Sequence, residues 1–237
     1  KEPFSDPYIR QAFSLATDRE TLAEEVFDGS LNVNLSWIAP GFPGYDDEHN
    51  LWGYDAAAAD LALIDSSYGA PASVPPVTVT YEKTPLNDSM WNWLKTHWEA
   101  ELGVTVILDP VERDVFINAR RNDELQLLIA GWNADNPDPQ NWLSTVWPTG
   151  SYYANLTHYS NAAFDALIAQ ADGEPDPVLR LELYRDAQRM LIDDMPLAPL
   201  FSTTNKFLVK PWVQGVLPAA IDSTWAGEQV PLAVSVQ

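Results

Sequence analysis

The chain has 237 residues, no cysteine and a formal charge of −21 at neutral pH. That length suits one or two domains with a sizeable core. The missing thiols exclude disulfides, zinc–thiolate centres and a cysteine nucleophile, and the acidic balance argues against nucleic acid and anionic lipid as partners.

Asp6-Pro7 predicts a helix start, with an N-cap and a proline in the first turn, and Ile9, Phe13 and Ala16 mark its inner face. Thr17 and Glu20 have capping-box spacing and predict a second helix, with Leu22, Ala23 and Val26 inward and Gly29 as its stop. Residues 31–54 read as loop, punctuated by Pro40, Gly41, Pro43, Gly44 and Gly53. Asp55 predicts the cap of an alanine-rich helix running to about Ile64. After a linker over 69–76, Val77 to Tyr81 alternates as a strand. A helix over 87–102 carries Met90, Leu94 and Trp98 on one face and ends at Gly103. A strand over 104–108 and a helix over 115–121 follow. Leu125 to Ala130 is an apolar run broken only by Gln126, as expected of a strand covered on both faces. Two further helices are predicted over 161–171 and 177–194, and extended, proline-containing segments from Pro196 onward.

This alternation of strand and helix predicts an α/β fold with a largely parallel, right-handed sheet flanked by helices. In such sheets ligands sit beyond the carboxyl ends of the strands. The segment Gly131-Trp132-Asn133-Ala134-Asp135-Asn136-Pro137-Asp138-Pro139 occupies that place. Its prolines restrict the loop, so its polar groups lose less entropy on binding. A carboxylate beside an aromatic face suits an ammonium group, through ion pairing and cation–π attraction. Asp138, directly before Pro139, reads instead as a turn and helix-cap residue, and by residue type alone Asp135 is open between that role and ligand binding.

Catalysis is the competing class. A hydrolase could use Asp135 and Asp138, but two carboxylates on one short loop crowd the same side of a scissile bond. Calcium needs about six or more oxygens, and no EF-hand pattern exists. His49, His97 and His158 lack metal-ligand spacing, and no Gly-x-Ser-x-Gly elbow accompanies them. No cofactor or metal is expected. Trp91, Trp93 and Trp98 read as packing, and Arg120 and Arg121 as a solvated helix end, with Arg120 retained as a weaker ligand-binding candidate.

Several stretches resemble one known family. Phe4-Ser5-Asp6-Pro7-Tyr8-Ile9-Arg10-Gln11-Ala12, followed by Ala16-Thr17-Asp18-Arg19, is similar to the middle of the family 5 extracellular solute-binding proteins. Gly131 to Asn141 resembles their ligand loop, His158 to Ile168 another family segment, and Leu208 to Gly215 the oligopeptide-binding branch. The resemblance implies a periplasmic-binding-protein-like lobe, with residues 1–199 as the second ligand-binding lobe. Residues 200–237 would return toward a first lobe that lies outside this sequence, so the chain reads as a fragment. It further implies a monomeric, non-enzymatic component of an ABC importer, periplasmic or extracellular, tethered through a lipid anchor on the absent N-terminal part. It would capture a peptide, or alternatively an oligosaccharide or metal chelate, and deliver it to a membrane permease. Asp135 would pair with the amino terminus of the peptide, with Trp132 and Asn133 lining the same pocket. Two residues before the loop glycine, where some relatives carry arginine, this chain has Ile129, which removes a carboxylate-binding anchor.

Overall fold

The computed structural model describes residues 1–203, 208, 210–214 and 235–236. Most of its α-helices, though not α5 or α7, begin where a side chain accepts a hydrogen bond from their first unpaired amides. Asp6 accepts from the Tyr8 amide ahead of α1 (Pro7–Leu15) and Asp18 from that of Thr21 ahead of α2 (Arg19–Phe27). The α2 cap is therefore Asp18, not the expected Thr17. The Thr17 hydroxyl is committed elsewhere: it donates to Phe13 O at 2.7 Å and accepts from Trp98 Nε1 at 2.9 Å. A short strand, β1 (Asn32–Val33), interrupts the expected loop. Asp55 caps α3 (Ala56–Asp65) as the sequence predicts.

β2 (Val77–Glu82) turns Val77, Val79 and Tyr81 inward. α4 (Pro85–Leu102) then crosses over, burying Met90, Leu94 and Trp98, and stops at Gly103 in the left-handed conformation. β3 (Val106–Val111) returns parallel to β2, with Val77 opposite Val106 and Glu82 opposite Val111. α5 (Arg113–Arg121) follows.

The expected third parallel strand over Leu125–Ala130 does not form. The segment makes one isolated parallel bridge, Val79 with Leu127. The Thr78 amide donates to the Gln126 side-chain oxygen at 2.6 Å, so a side chain takes the place of a ladder carbonyl. Only Leu125 in this run is buried. The run is apolar because it lines a cavity, a reading that an apolar stretch does not distinguish from a doubly covered strand.

α6 (Pro139–Trp142) comes next, starting at the Asp138 cap that the sequence suggests, followed by α7 (Tyr152–Thr157), which the sequence did not announce. α8 (Ala162–Gly173) and α9 (Pro177–Asp194) pack together as a hairpin. β4 (Phe201–Ser202) pairs antiparallel with β1, and β5 (Val213–Gln214) with β6 (Ser235–Val236). Most of the expected return of residues 200–237 lies outside the described residues, as do Val209 and Gly215 of the Leu208–Gly215 stretch.

Among the described residues, most buried apolar side chains fall into two clusters. One joins α1 to α4 with β2 and β3, from Ile9 to Val106. The other joins Trp142, Trp147 and Tyr153 to α8 and α9, with Ile38 added from the long loop. Arginines and loop groups connect them. Arg10 donates to the carbonyls of Asp194 and Met195, and Arg19 to that of Pro199. Trp52 Nε1 donates to Ile192 O at 2.8 Å; within the second cluster, Gln188 holds Ile38 N at 2.8 Å and Gly44 O at 3.2 Å.

Candidate ligand-binding cleft

An open cleft of about 1640 Å³ touches both clusters. Residues 125–134 run along it without interruption. Among the described residues, the backbone of Leu128, Ile129 and Ala130 has no ladder partner.

The loop beyond is held at defined points. Tyr153 donates its hydroxyl to Gly131 O at 2.6 Å, and burial pushes its pKa up to about 12, so it remains a donor at neutral pH. Asn141 is buried on α6, and its Oδ1 accepts twice: from Trp132 Nε1 and from the Asp135 amide, both at 3.1 Å. α6 is itself anchored. Asp138 caps it through the Gln140 amide at 2.9 Å and takes a bidentate pair from Arg180, at 2.8 and 2.9 Å. The hydrogen-bonded Arg180 guanidinium holds the Asp138 carboxyl below its ordinary pKa, against the opposing effect of burial, with help from the Gln140 amide.

The candidates from the sequence fall as follows. Trp132, half buried, and Asn133, exposed, line the cleft. The lining ends at Ala134; Asp135 is exposed just beyond it, and its carboxylate has no partner among the described residues. Arg120 is not in the lining. It donates to the Tyr152 hydroxyl, with its guanidinium 5.5 Å from that ring. Asp138 faces Arg180, so the loop holds no pair of free carboxylates. Trp91 and Trp98 are buried, and Trp93 stacks on His97 with centroids 3.5 Å apart. His49 bonds Asp193 at 2.7 Å and His158 bonds Asp123 at 3.0 Å. Among the described residues no cluster of three or more His, Asp or Glu side chains is placed to hold a metal ion.

Reading by residue type missed Asn141, Tyr153 and Trp37. Trp37 donates to Trp142 O at 2.5 Å and meets Trp142, Trp147 and Tyr153 edge-on, with centroids 5.2–6.0 Å apart. The one available signal was an Asn three residues after the Asp138-Pro139 start, where a one-turn helix brings it back over the loop.

The ionisable groups of the lining are paired within the chain. Arg10 bonds four carbonyls, those of Phe4, Ser5, Asp194 and Met195. Asp194 accepts from the Tyr159 hydroxyl at 2.7 Å and Asn161 Nδ2 at 2.6 Å. Lys1 and His158 both meet Asp123 at 3.0 Å.

The sequence profile of the bacterial extracellular solute-binding proteins, family 5 Middle, matches residues 1–154. The periplasmic oligopeptide-binding protein OppA of Salmonella typhimurium is 30% identical over 91% of this chain and 40% of its own length. The oligopeptide-binding protein OppA of Bacillus subtilis is 26% identical over 91% and 41%. Among solved structures, a periplasmic oligopeptide-binding protein of an oligopeptide ABC transporter from Borrelia burgdorferi superposes with a TM-score of 0.81 at 26% identity. That match covers all of this chain and 46% of the other. HbpA2 from Haemophilus parasuis, at 21% identity and a TM-score of 0.84, shares the fold. The chain thus spans about 40% of the length of the curated relatives it matches.

Proposed function

The chain belongs to the family 5 bacterial extracellular solute-binding proteins, and from that premise we propose that the protein captures oligopeptides without chemistry and delivers them to the permease of an ABC importer. The observation that carries this reading is the cleft. At about 1640 Å³ it exceeds the roughly 300–1,000 Å³ of ordinary small-molecule sites, and an extended segment with unladdered backbone runs along it. A peptide in extended form can hydrogen-bond such a segment. Residues 1–199 act as one ligand-binding lobe and 200–237 return toward another. Lobe closure around ligand stabilises the closed state. The protein works as a monomer, in the periplasm or outside the cell, held by a lipid anchor.

Asp135 pairs with the ammonium of the peptide at the rim of the cleft, while Trp132 and Asn133 line the adjacent wall. Removing one partner of a charge pair desolvated by closure costs roughly 2–5 kcal/mol. Asp135→Asn in the full-length protein is therefore expected to weaken a free-amino peptide about thirtyfold or more, and its N-acetylated analogue little. Calorimetric titration of both peptides checks this. Equal losses overturn the assignment and favour an oligosaccharide or metal chelate as ligand, which native mass spectrometry of the purified full-length protein would identify.

A further inference from the structure

One wall of this cleft would offer a ligand side chain mainly aromatic rings, although polar side chains such as Asn34, Ser36 and Gln126 line other parts of it. Trp37, Phe42, Trp132 and Tyr159 are half buried and line it, backed by the fully buried Trp147. Trp37 is fixed in that wall by edge-on contacts with Trp142, Trp147 and Tyr153, and its indole N–H is spent on Trp142 O. Among the described residues the charged groups of the lining are Lys1, Arg10, Asp123, His158 and Asp194, and each already has partners in the chain. Asp135, whose carboxylate has no partner among the described residues, lies outside the lining.

A charged ligand side chain placed against the Trp37 wall would lose water and meet no unpaired opposite charge among the described residues of that wall, which is costly. A large apolar or aromatic side chain would exchange water for ring faces and edges, the arrangement that adds specific attraction between aromatic groups. Resting on the peptide reading above, we infer that the wall around Trp37 selects peptides with a large uncharged apolar or aromatic side chain and discriminates against lysine, arginine, aspartate and glutamate at that position. On this reading Asp135 recognises charge at the rim, and the wall around Trp37 reads shape and apolarity.

The test uses the full-length protein and tripeptides Ala-Xaa-Ala with Xaa as Phe, Ala, Lys or Glu, titrated by calorimetry. The Phe peptide is expected to bind roughly tenfold or more tighter than the Lys and Glu peptides, with Ala between them. Trp37→Ala is expected to reduce that spread to less than about threefold. Trp37→Phe retains an aromatic edge and preserves most of the spread, which guards against the alanine variant failing to fold. Lys or Glu peptides binding as tightly as Phe overturn the inference and leave the peptide reading standing. A spread unchanged in Trp37→Ala with an unchanged melting temperature overturns the assignment to this wall. No binding by any of the four peptides removes the peptide reading, and the inference with it.

Discussion

At the scale of single residues, Asn141 and Asp138 determine how the binding loop is presented. Asn141 gathers an indole N–H and a backbone amide onto one buried oxygen. Asn141→Ala leaves both donors without that acceptor, at about 1–3 kcal/mol for a buried polar group left unmet. Urea unfolding is expected to show that loss, and a variant as stable as the parent would mean that the two donors find other partners. Asp138 adds a pH dependence whose sign follows from Arg180. Its carboxyl titrates below the ordinary value of 3.8 in the folded chain. Its contribution is therefore complete above that value and is lost as pH falls through the depressed native one. The stability gap between the parent and Asp138→Asn is expected to be widest at about pH 5 and to narrow toward about pH 2. A constant gap in acid-titrated unfolding curves would show that the pair with Arg180 does not titrate in this range. Capping by Asp138 was readable from Asp-Pro alone. Its partner Arg180 was not, because a contact between residues 42 apart in sequence leaves no local pattern.

Among the elements, caps and periodicity were the legible part. Asp6, Asp55 and the Met90–Leu94–Trp98 face stand where the sequence puts them, since each rests on contacts within a turn or two. The shift of the α2 cap from Thr17 to Asp18 is a tertiary effect: the indole of Trp98, 81 residues away, claims the threonine hydroxyl. The apolar run over 125–130 was misread as a strand because composition reports removal from water, not what removes it. α4 ends at Gly103, where φ is +64° and an added Cβ would lie 3.3 Å from Pro71 Cβ. Gly103→Ala is expected to cost about 1 kcal/mol or more through left-handed strain and that contact, read as a lowered melting temperature. An unchanged value would mean that the turn relaxes freely.

Across the whole molecule, two cores share one chain, and two arginines do much of the joining. Arg19 is buried with no carboxylate in contact among the described residues; it donates to the carbonyls of Ser14, Thr17 and Pro199 and to the Ser14 hydroxyl. Burial pulls its pKa down to about 10, which still leaves it charged at neutral pH. Arg19→Leu strands several of these acceptors at once, and a loss of about 3 kcal/mol or more is expected in chemical unfolding. Arg19→Lys is expected to recover little of it, because an ammonium lacks the planar fork that reaches separate carbonyls. Full recovery by lysine would show that charge alone suffices. The existence of two cores was not legible, since strand–helix alternation describes order along the chain and not where the alternation divides in space.

Both arginines hold backbone oxygens, of Asp194 and Met195 for Arg10 and of Pro199 for Arg19. Every amino acid carries a carbonyl, so this grip makes no demand on which side chains occupy the crossing. Substitutions through the crossing segment can therefore accumulate without undoing the joint, provided that the two guanidinium groups persist. The evolutionary constraint falls on the donors and spares the acceptors. Apart from Asp194, whose carboxylate holds Tyr159 and Asn161, and the buried Met195, side chains of the crossing are left free to vary with the ligand while the mechanical link between the cores stays the same.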